Sequence, residues 1–344
     1  MHDVVVVGGG PAGLVVALGA ARAGLDVIVC EKRPDVIDKA CGEGLMPGAL
    51  HALQALGVDP PGYAIRGITY RQDGYVAHGQ FPHGPGRGVR RTTLHTALRD
   101  AVKAHGVAVL ERPIAGIDQH DDWVEAGGLR ARYLVAADGL HSPIRTAVGL
   151  AGPSGRAPRS GSMRWGQRRH YAVATVDDHV EVSWAARSEL YITPVAADTI
   201  GVAVLSSTRG GFEAQLAEFP ALSRRLADAT PVSAVRGAGP LRQRVSGRVA
   251  GRVLLVGDAS GYIDALTGEG LAVSFAAAAE LVKCLVAGRP ETYERAWSRV
   301  SRRSRWITSA LLWGRTQPLI STRIVPIAAR FPRLFTAAVG QLAE

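Results

Sequence analysis

The first segment of the chain constrains its fold most, because it joins an apolar run to a glycine-rich turn and then to a helical stretch. Val4 to Val7 predict a buried strand, and the turn that follows it reads Gly8-Gly9-Gly10-Pro11-Ala12-Gly13. In this spacing the first glycine permits a tight turn, the second lets backbone amides approach a pyrophosphate, and the third lets a helix pack closely on the strand. The sequence therefore predicts a dinucleotide-binding unit at the N-terminus.

An acidic residue follows at the distance that such a unit requires. The second predicted strand, Asp26 to Cys30, ends at Glu31, eighteen residues past Gly13. A carboxylate at the end of this strand is placed to accept hydrogen bonds from a ribose diol. We assign Glu31, and Lys32 beside it, to the nucleotide site.

Two later segments add small residues and carboxylates at strand ends. One predicted strand ends in Asp138-Gly139, and another ends in Gly257-Asp258. Ligands bind outside the carboxyl ends of strands in open α/β sheets. The residues Gly268, Gly270 and Leu271 begin a long alanine-rich helix, whose N-terminus stabilises negative charge.

With these three motifs in this order, the chain resembles the single-component FAD-dependent oxidoreductases built on the p-hydroxybenzoate hydroxylase plan. That superfamily includes aromatic hydroxylases, epoxidases, geranylgeranyl reductases and flavin halogenases, and the resemblance covers about half of the chain. It implies that Glu31 binds the adenosine ribose and that Asp258 binds the ribityl or pyrophosphate part of FAD. It also implies that Asp138 and Gly139 form the second acid-glycine motif, which is linked to FAD and NAD(P)H together.

The segment from Asp38 to Pro47 resembles the geranylgeranyl reductase branch, in which a Cys-Gly-x-Gly-Leu segment runs beside the isoalloxazine. Here the matching residues are Cys41, Gly42, Glu43, Gly44 and Leu45. Small residues suit the close approach of a backbone to a flat ring. The thiol of Cys41 is either a soft group near the flavin or a buried small hydrophobe, and we favour the second. For Glu43 we favour a solvated loop carboxylate over an acid or base.

Other candidate site residues are less specific. Arg91 begins a predicted helix where relatives carry an arginine near the cofactor, and an exposed basic helix start is an equal alternative. Hydroxylation of a phenol would benefit from a general base, for which the candidates are His78, His83, Tyr191 and Tyr262.

The predicted fold class is α/β: a Rossmann-like FAD-binding domain with a parallel sheet, interrupted by a mixed or antiparallel substrate sheet, plus C-terminal helices. The FAD-binding domain is expected to be discontinuous, at residues 1–60, 86–150 and 245–290. The substrate sheet is expected at 61–85 and 151–244, where alternating apolar residues are typical of strands. A crossover linker is predicted at 152–161, and a C-terminal helical region at 291–344.

Composition bears on the redox compartment, on membrane insertion and on metal binding. Its three cysteines are widely spaced, which fits a reducing cytoplasm and argues against a disulfide framework. The longest apolar stretch, residues 271–288, contains Glu280 and Lys283, so no bilayer-spanning helix is expected. The histidines show no ligand spacing with cysteine or carboxylate, and no metal site is expected.

The positive charge is concentrated at the C-terminus. Residues 295–344 contain nine arginines and one acidic residue, interleaved with large apolar residues. This region could lie on an anionic membrane surface or cover a tunnel to the flavin. We favour helices that pack on the FAD domain with their arginines in solvent. Nucleic-acid binding is not expected, because no recognised module accompanies the arginines.

The leading functional expectation is an FAD monooxygenase, in which NAD(P)H reduces the flavin and oxygen then hydroxylates or epoxidises a lipophilic or aromatic small molecule. The alternative is a flavin-dependent reductase of carbon-carbon double bonds in an isoprenoid or other unsaturated lipid. Halogenation is disfavoured, because flavin halogenases need a lysine in the middle of the chain and a Trp-x-Trp-x-Ile-Pro signature. Here Lys39 and Lys103 bracket a region without any lysine, and the signature does not occur.

Overall fold

The computed structural model describes residues 1–152 and 163–343, so the predicted crossover linker, apart from Gly152, lies outside the described residues. The strands are β1 His2–Val7, β2 Val27–Glu31, β3 Gly44–Leu45, β4 Tyr63–Ile65, β5 Gly67–Gln72, β6 Tyr75–Gln80, β7 Gly86–Gly88, β8 Ala108–Glu111, β9 Ile117–Gln119, β10 Val124–Ala126, β11 Leu129–Ala136, β12 Trp165–Ala172, β13 His179–Trp184, β14 Ser188–Ala196, β15 Thr199–Ser206, β16 Thr230–Pro231, β17 Arg236–Ala238, β18 Val249–Ala250 and β19 Val253–Leu255. The helices are α1 Pro11–Arg22, α2 Pro47–Ala55, α3 Arg91–Ala104, α4 Pro143–Ala147, α5 Phe212–Leu216, α6 Pro220–Arg225, α7 Gly270–Val286, α8 Tyr293–Thr316, α9 Pro318–Ser321, α10 Ile324–Arg330 and α11 Pro332–Ala343.

The first sheet has a parallel centre in the order β19-β11-β1-β2-β8. Both faces of β1 are buried: Val4 and Val6 pack with helices α1 and α7, whereas Val5 and Val7 pack in a cluster with β10 and β11. This explains the unbroken valine run, because a parallel strand covered on both faces needs apolar residues at every position. The carboxyl ends of β1, β2, β11 and β19 meet at one edge, where the motifs lie.

The second sheet, which we call the substrate sheet, has the order β16-β12-β15-β14-β13-β5-β6, with β17 also paired to β12. Its neighbours are antiparallel except β5 and β13, which run parallel. The predicted alternation is present in β13, where Val180, Val182 and Trp184 are buried and the intervening residues are partly exposed. Helices α5 and α6 cover one face through Phe212, Leu216 and Leu222. The chain is thus a mixed α/β protein with two main sheets.

A small third sheet, in the order β3-β7-β4, joins the two larger ones. It contains Gly44 and Leu45, from the segment matched to the geranylgeranyl reductase branch. A Cβ atom on Gly88 of β7 would lie 1.7 Å from the backbone oxygen of Pro194 in β14. This close approach requires glycine, and it holds the third sheet directly against the substrate sheet.

The C-terminal helices divide between the two sheets. Helix α8 packs along α7, whereas α10 and α11 pack on strand β6. A Cβ atom on Gly79 of β6 would lie 2.6 Å from Val339 of α11. The expectation that this region packs on the FAD domain is therefore wrong for α10 and α11, because their apolar residues complete the core of the substrate sheet. In the described ranges, no helix is both long enough and apolar enough to cross a membrane.

Candidate cofactor and active site

The glycine-rich turn after β1 leaves no room for side chains. Gly8 has φ +111°, and a Cβ atom there would lie 2.3 Å from the Ala137 oxygen. On Gly13 a Cβ atom would lie 2.0 Å from the Gly8 oxygen. At Gly10, by contrast, the nearest side-chain atom is Arg91 Nη2 at 3.9 Å, so that glycine faces open space. The turn thus brings α1 against the sheet and leaves its N-terminus open to a ligand.

Glu31 lies at the end of β2, directly beside this turn. Its Oε2 accepts a hydrogen bond of 2.7 Å from the Gly9 amide, and its Oε1 accepts one of 2.9 Å from Arg33 Nε. Burial alone would raise the pKa of Glu31, but the Arg33 and Gly9 hydrogen bonds outweigh it and lower the pKa. The carboxylate is therefore charged at neutral pH. Lys32, by contrast, is exposed.

A cavity of ≈ 250 Å³ opens beside Glu31. Gly9, Arg33, His95 and Arg99 are among its lining residues. His95 Nε2 lies 2.9 Å from the Gly9 carbonyl oxygen, so the imidazole fixes the turn from the side of α3. Burial lowers the pKa of His95, which is therefore neutral at physiological pH and donates through Nε2. The sequence did not point to His95, because only the fold brings α3 to the turn.

Arg91 is the first residue of α3, and it is buried rather than exposed. The alternative of an exposed basic helix start is therefore wrong. Its guanidinium lies close to Gly10. Burial lowers the pKa of Arg91, and the nearby carboxylates of Asp258 and Glu43 oppose the effect. Tertiary packing explains why Arg91 is buried, because α3 begins beneath the loop that carries Cys41.

The acid-glycine motif after β11 lies beside the glycine-rich turn, since a Cβ atom on Gly8 would lie 2.9 Å from the Asp138 nitrogen. We call the space between the cofactor motifs the cleft. Asp138 Oδ2 accepts a hydrogen bond of 3.3 Å from the Ile144 amide at the start of α4, and burial raises the pKa of this carboxyl. Gly139 has φ +92°, and the amino group of Lys39 lies 3.0 Å from the position that a Cβ atom would take there. Burial lowers the pKa of Lys39, whereas the nearby Asp258 carboxylate raises it. The sequence did not single out Lys39.

The second acid-glycine turn closes the cleft from the side of β19. Gly257 has φ +62°, and a Cβ atom there would lie 2.7 Å from Ala12 of helix α1. Asp258 follows in a short 3-10 turn, Gly257–Ser260. Gly268 also has a positive φ of +70°, and Gly270 begins helix α7, with Leu271 half-buried behind it. Two helix N-termini, those of α1 and α7, therefore open toward one region.

Among the described residues, several buried polar atoms around the cleft and its cavity have no hydrogen-bond partner. They include Arg91 Nε, His95 Nδ1, Arg99 Nε and Asp138 Oδ1. Buried polar atoms are normally paired, so unpaired ones clustered around an open cleft indicate a missing ligand. A donor near a glycine turn and helix N-termini fits a pyrophosphate, and the Glu31 carboxylate fits a ribose. The residues present therefore fit FAD.

We call residues 39–45 the flavin-side loop. Cys41 in this loop is half-buried; its Sγ accepts a weak hydrogen bond of 3.4 Å from the Glu43 amide, and burial raises the pKa of the thiol. Gly42 is exposed, with open space where a Cβ atom would stand, and its carbonyl accepts a hydrogen bond of 2.7 Å from Thr193 Oγ1. The loop is thus anchored to the substrate sheet while one side remains open.

Glu43 is buried, so the expectation of a solvated loop carboxylate is wrong. Its side chain is 1% exposed, and its backbone has φ +60°. Oε1 accepts a hydrogen bond of 2.8 Å from the Arg91 amide, and Oε2 lies 2.6 Å from His170 Nε2. Helix α3 and the substrate sheet supply these partners, which the local sequence could not reveal.

The candidate general bases are poorly suited to that role. The Tyr191 hydroxyl donates a hydrogen bond of 3.0 Å to the Leu266 oxygen, and burial and the Glu189 carboxylate hold its pKa well above the ordinary range. Burial, with Asp258 next, does the same for the pKa of Tyr262. His78 and His83 are exposed. Both phenols therefore keep their protons at neutral pH.

One group of possible metal ligands occurs in the described residues, at Asp177, Asp178 and His179. His179 Nδ1 lies 3.0 Å from Asp177 and 2.9 Å from Asp178. Asp178 also pairs with Arg66 at 3.1 Å. These contacts account for the cluster as a surface ion-pair network.

Comparisons with known proteins agree with this geometry. Residues 1–292 match the family described as FAD binding domain. A digeranylgeranylglycerophospholipid reductase of Methanopyrus kandleri is 28% identical over 79% of this chain and 74% of its own length. A menaquinone reductase of Mycobacterium tuberculosis is 30% identical over 78% of this chain and 72% of its own length.

Among solved structures, the flavin-dependent brominase Bmp2 has a TM-score of 0.83 at 17% identity, covering 99% of this chain and 93% of that protein. At this identity the likeness concerns the fold alone. The family match covers both acid-glycine turns and the glycine-rich turn whose geometry fits the cofactor. The chain therefore belongs to the FAD binding domain family and is an FAD-dependent oxidoreductase.

Proposed function

We propose that this oxidoreductase reduces carbon-carbon double bonds in the isoprenoid chain of a lipid, with NAD(P)H as the source of electrons. The observation that carries the proposal is the flavin-side loop, in which Cys41-Gly42-Glu43-Gly44-Leu45 is held between the FAD cleft and the substrate sheet. Two similar proteins support it, since one is named as a digeranylgeranylglycerophospholipid reductase and the other as a menaquinone reductase. Reduction of carbon-carbon double bonds thus replaces monooxygenation as the first candidate activity.

Different residues of this chain would bind the different parts of FAD and the substrate. Glu31 would hold the adenosine ribose, and the glycine-rich turn with Arg91 would hold the pyrophosphate, while Asp258 would hold the ribityl or pyrophosphate part. When bound, FAD supplies the hydride. The apolar cluster that contains Met46, Leu266 and Trp184 lies beside the flavin-side loop. An isoprenoid chain seated against this cluster would be shielded from water.

Reduction of a double bond needs a proton as well as a hydride. We assign this proton to Cys41, because burial raises the pKa of its thiol and keeps the proton on Sγ at neutral pH. The carboxylate of Glu43 is already engaged with Arg91 and His170, so it positions the loop rather than donating a proton.

The test is a single turnover without oxygen. The purified flavoprotein is reduced anaerobically and mixed with a geranylgeranyl lipid, and the flavin spectrum and product mass are recorded. We expect flavin oxidation coupled to gain of two hydrogen atoms by the lipid. If product forms only after oxygen is admitted and carries an added oxygen atom, the protein is a monooxygenase and the reductase proposal is wrong.

A further inference from the structure

Helix α8 exposes a continuous stripe along one side. The stripe follows helical spacing, since every third or fourth residue is exposed. Its members are Arg295, Arg299, Arg302, Trp306, Ser309, Trp313 and Thr316. Trp306 is 73% exposed and Trp313 is 62% exposed, and a spacing of seven residues places both indoles on the same side. The stripe is therefore basic at its beginning and aromatic toward its end.

The following helices add to the same chemistry. Ile327, Phe331 and Leu334, around the junction of α10 and α11, are all at least half exposed. Exposed arginines alternate with them at positions 323, 330 and 333. We call the α8 stripe together with this junction the C-terminal face. Large exposed aromatic and aliphatic residues are concentrated in one segment of the chain, residues 306–334, which indicates an interaction surface rather than ordinary solvent exposure.

The charge of this region identifies what it can bind. Residues 295–344 carry nine arginines and one acid, a net charge of +8, whereas the whole chain carries +10. Arg295, Arg299 and Arg302 make no ion pair with any residue in the described ranges. Tryptophan favours the boundary between lipid headgroups and acyl chains, and arginine favours anionic headgroups. A second copy is a poorer partner, because two regions that each carry a net charge of +8 repel one another.

We propose that the C-terminal face docks on the surface of an anionic lipid bilayer. The opposite side of α8 explains how docking would serve the reaction. Ser304 donates a hydrogen bond of 2.9 Å to Glu269, and Thr308 Oγ1 lies 3.1 Å from Thr267 Oγ1. Near the end of the helix, Arg315 pairs with the buried Glu189 of the substrate sheet. One helix thus contacts the membrane on one side and the loop before α7 on the other.

The docking site is argued from exposure and charge alone, whereas delivery of substrate through it rests on the proposed function. In that reading a membrane lipid reaches the substrate sheet without crossing water, since α8 links the bilayer to Thr267, Glu269 and Glu189. Docking and catalysis therefore have separate readouts. Vesicle binding tests the surface, and anaerobic turnover tests the reaction.

The experiment is sedimentation of the flavin-loaded, full-length protein with vesicles of phosphatidylcholine alone or mixed with phosphatidylglycerol. We expect binding to the anionic vesicles only, weakened by added salt. Trp306→Ser combined with Trp313→Ser should weaken binding by at least about tenfold, because two large apolar side chains no longer enter the interface. Arg299→Ser combined with Arg302→Ser should weaken it roughly fivefold per arginine removed.

The matched control is Val176→Ser combined with Val232→Ser, which removes two exposed apolar side chains outside the C-terminal face. That variant should bind as the parent does. Retained flavin absorbance and circular dichroism in each variant exclude unfolding. Absent binding, equal binding to both vesicle types, or tryptophan variants that bind as the parent does would overturn the proposal. Concentration-dependent self-association that the tryptophan substitutions abolish would assign the face to a second copy instead.

The two proposals fail in distinguishable ways. Turnover of a short, water-dispersed isoprenoid alcohol should be unchanged in the tryptophan variant, because neither indole touches the described site. If the parent binds anionic vesicles but reduces no isoprenoid, the surface stands and the proposed reaction falls.

Discussion

The Glu43 carboxylate lies 2.6 Å from His170 Nε2, across the boundary between the flavin-side loop and the substrate sheet. Arg168 Nη1 lies 3.2 Å from the other ring nitrogen, Nδ1. A guanidinium can only donate, so Nδ1 must accept and Nε2 carries the proton that is donated to Glu43. With the Arg91 amide on its second oxygen, Glu43 joins the loop, α3 and the substrate sheet.

Substitution of Glu43 tests this junction. Glu43→Gln keeps the shape but leaves only one good acceptor for the donors of Arg91 and His170, so one buried donor loses its partner. We expect the free energy of unfolding to fall by about 1–3 kcal/mol in denaturant titrations. Glu111→Gln, at an exposed site, is the control. Equal stability of both variants would show that the buried contacts contribute nothing.

The assignment of Glu31 to the ribose predicts a selective loss of cofactor. Glu31→Ala should weaken FAD binding by at least about tenfold, because hydrogen bonds to a charged acceptor are lost. Titration of apoprotein with FAD measures this change, and circular dichroism checks that the fold is kept. Asp100→Ala, at an exposed site on α3, should bind FAD normally. Unchanged affinity of the Glu31 variant would remove it from the site.

Two glycines of the same helix provide a matched pair. Gly13→Ala would place a Cβ atom 2.0 Å from the Gly8 oxygen, whereas on Gly19 the nearest atom is Val282 Cγ2 at 3.5 Å. We expect Gly13→Ala to destabilise the protein by about 2 kcal/mol or more and to release FAD. Gly19→Ala should stabilise it by about 0.5–1 kcal/mol through helix propensity. Thermal unfolding with and without FAD distinguishes these outcomes.

The buried imidazole of His95 predicts a dependence of stability on pH. Because burial lowers the pKa of His95 in the folded protein, the unfolded chain takes up this proton first as the pH falls. The contribution of neutral His95 to the free energy of unfolding is fully present when the pH is above the ordinary histidine pKa of about 6.5. It is lost as the pH falls below that value. Denaturant titrations over this range should show a smaller acid loss for His95→Asn, which still donates to Gly9. His51→Asn, at an exposed position, should behave like the parent.

Cys41 is the test of the proposed proton donor. Cys41→Ala should retain FAD but lower the rate of anaerobic alkene reduction by about 100-fold or more, the usual contribution of a general acid. Cys284→Ala, at the buried cysteine of α7, should leave that rate unchanged. Parental turnover by the Cys41 variant would return its thiol to the role of packing.

Local sequence patterns predicted much of the structure of the cofactor-binding part of the chain. The turn from Gly8 to Gly13 follows a buried strand and begins a helix, and each of these elements is defined within a few residues. For the same reason the sequence located Glu31 and Gly257-Asp258 at strand ends. The position of Arg91 was uncertain, Glu43 was wrongly expected in solvent and His95 was missed, because their partners lie more than forty residues away along the chain.

The sequence by itself determined the family, the α/β class and the strand ends at which the cofactor motifs stand, because period, glycine spacing and acid position are local properties. Only the tertiary structure decided that Glu43 is buried against His170, that α10 and α11 cover the substrate sheet, and that both tryptophans of the α8 stripe remain outside. Each of these depends on which distant element packs against a residue. Burial and pairing are properties of that packing, and residue type alone does not fix them.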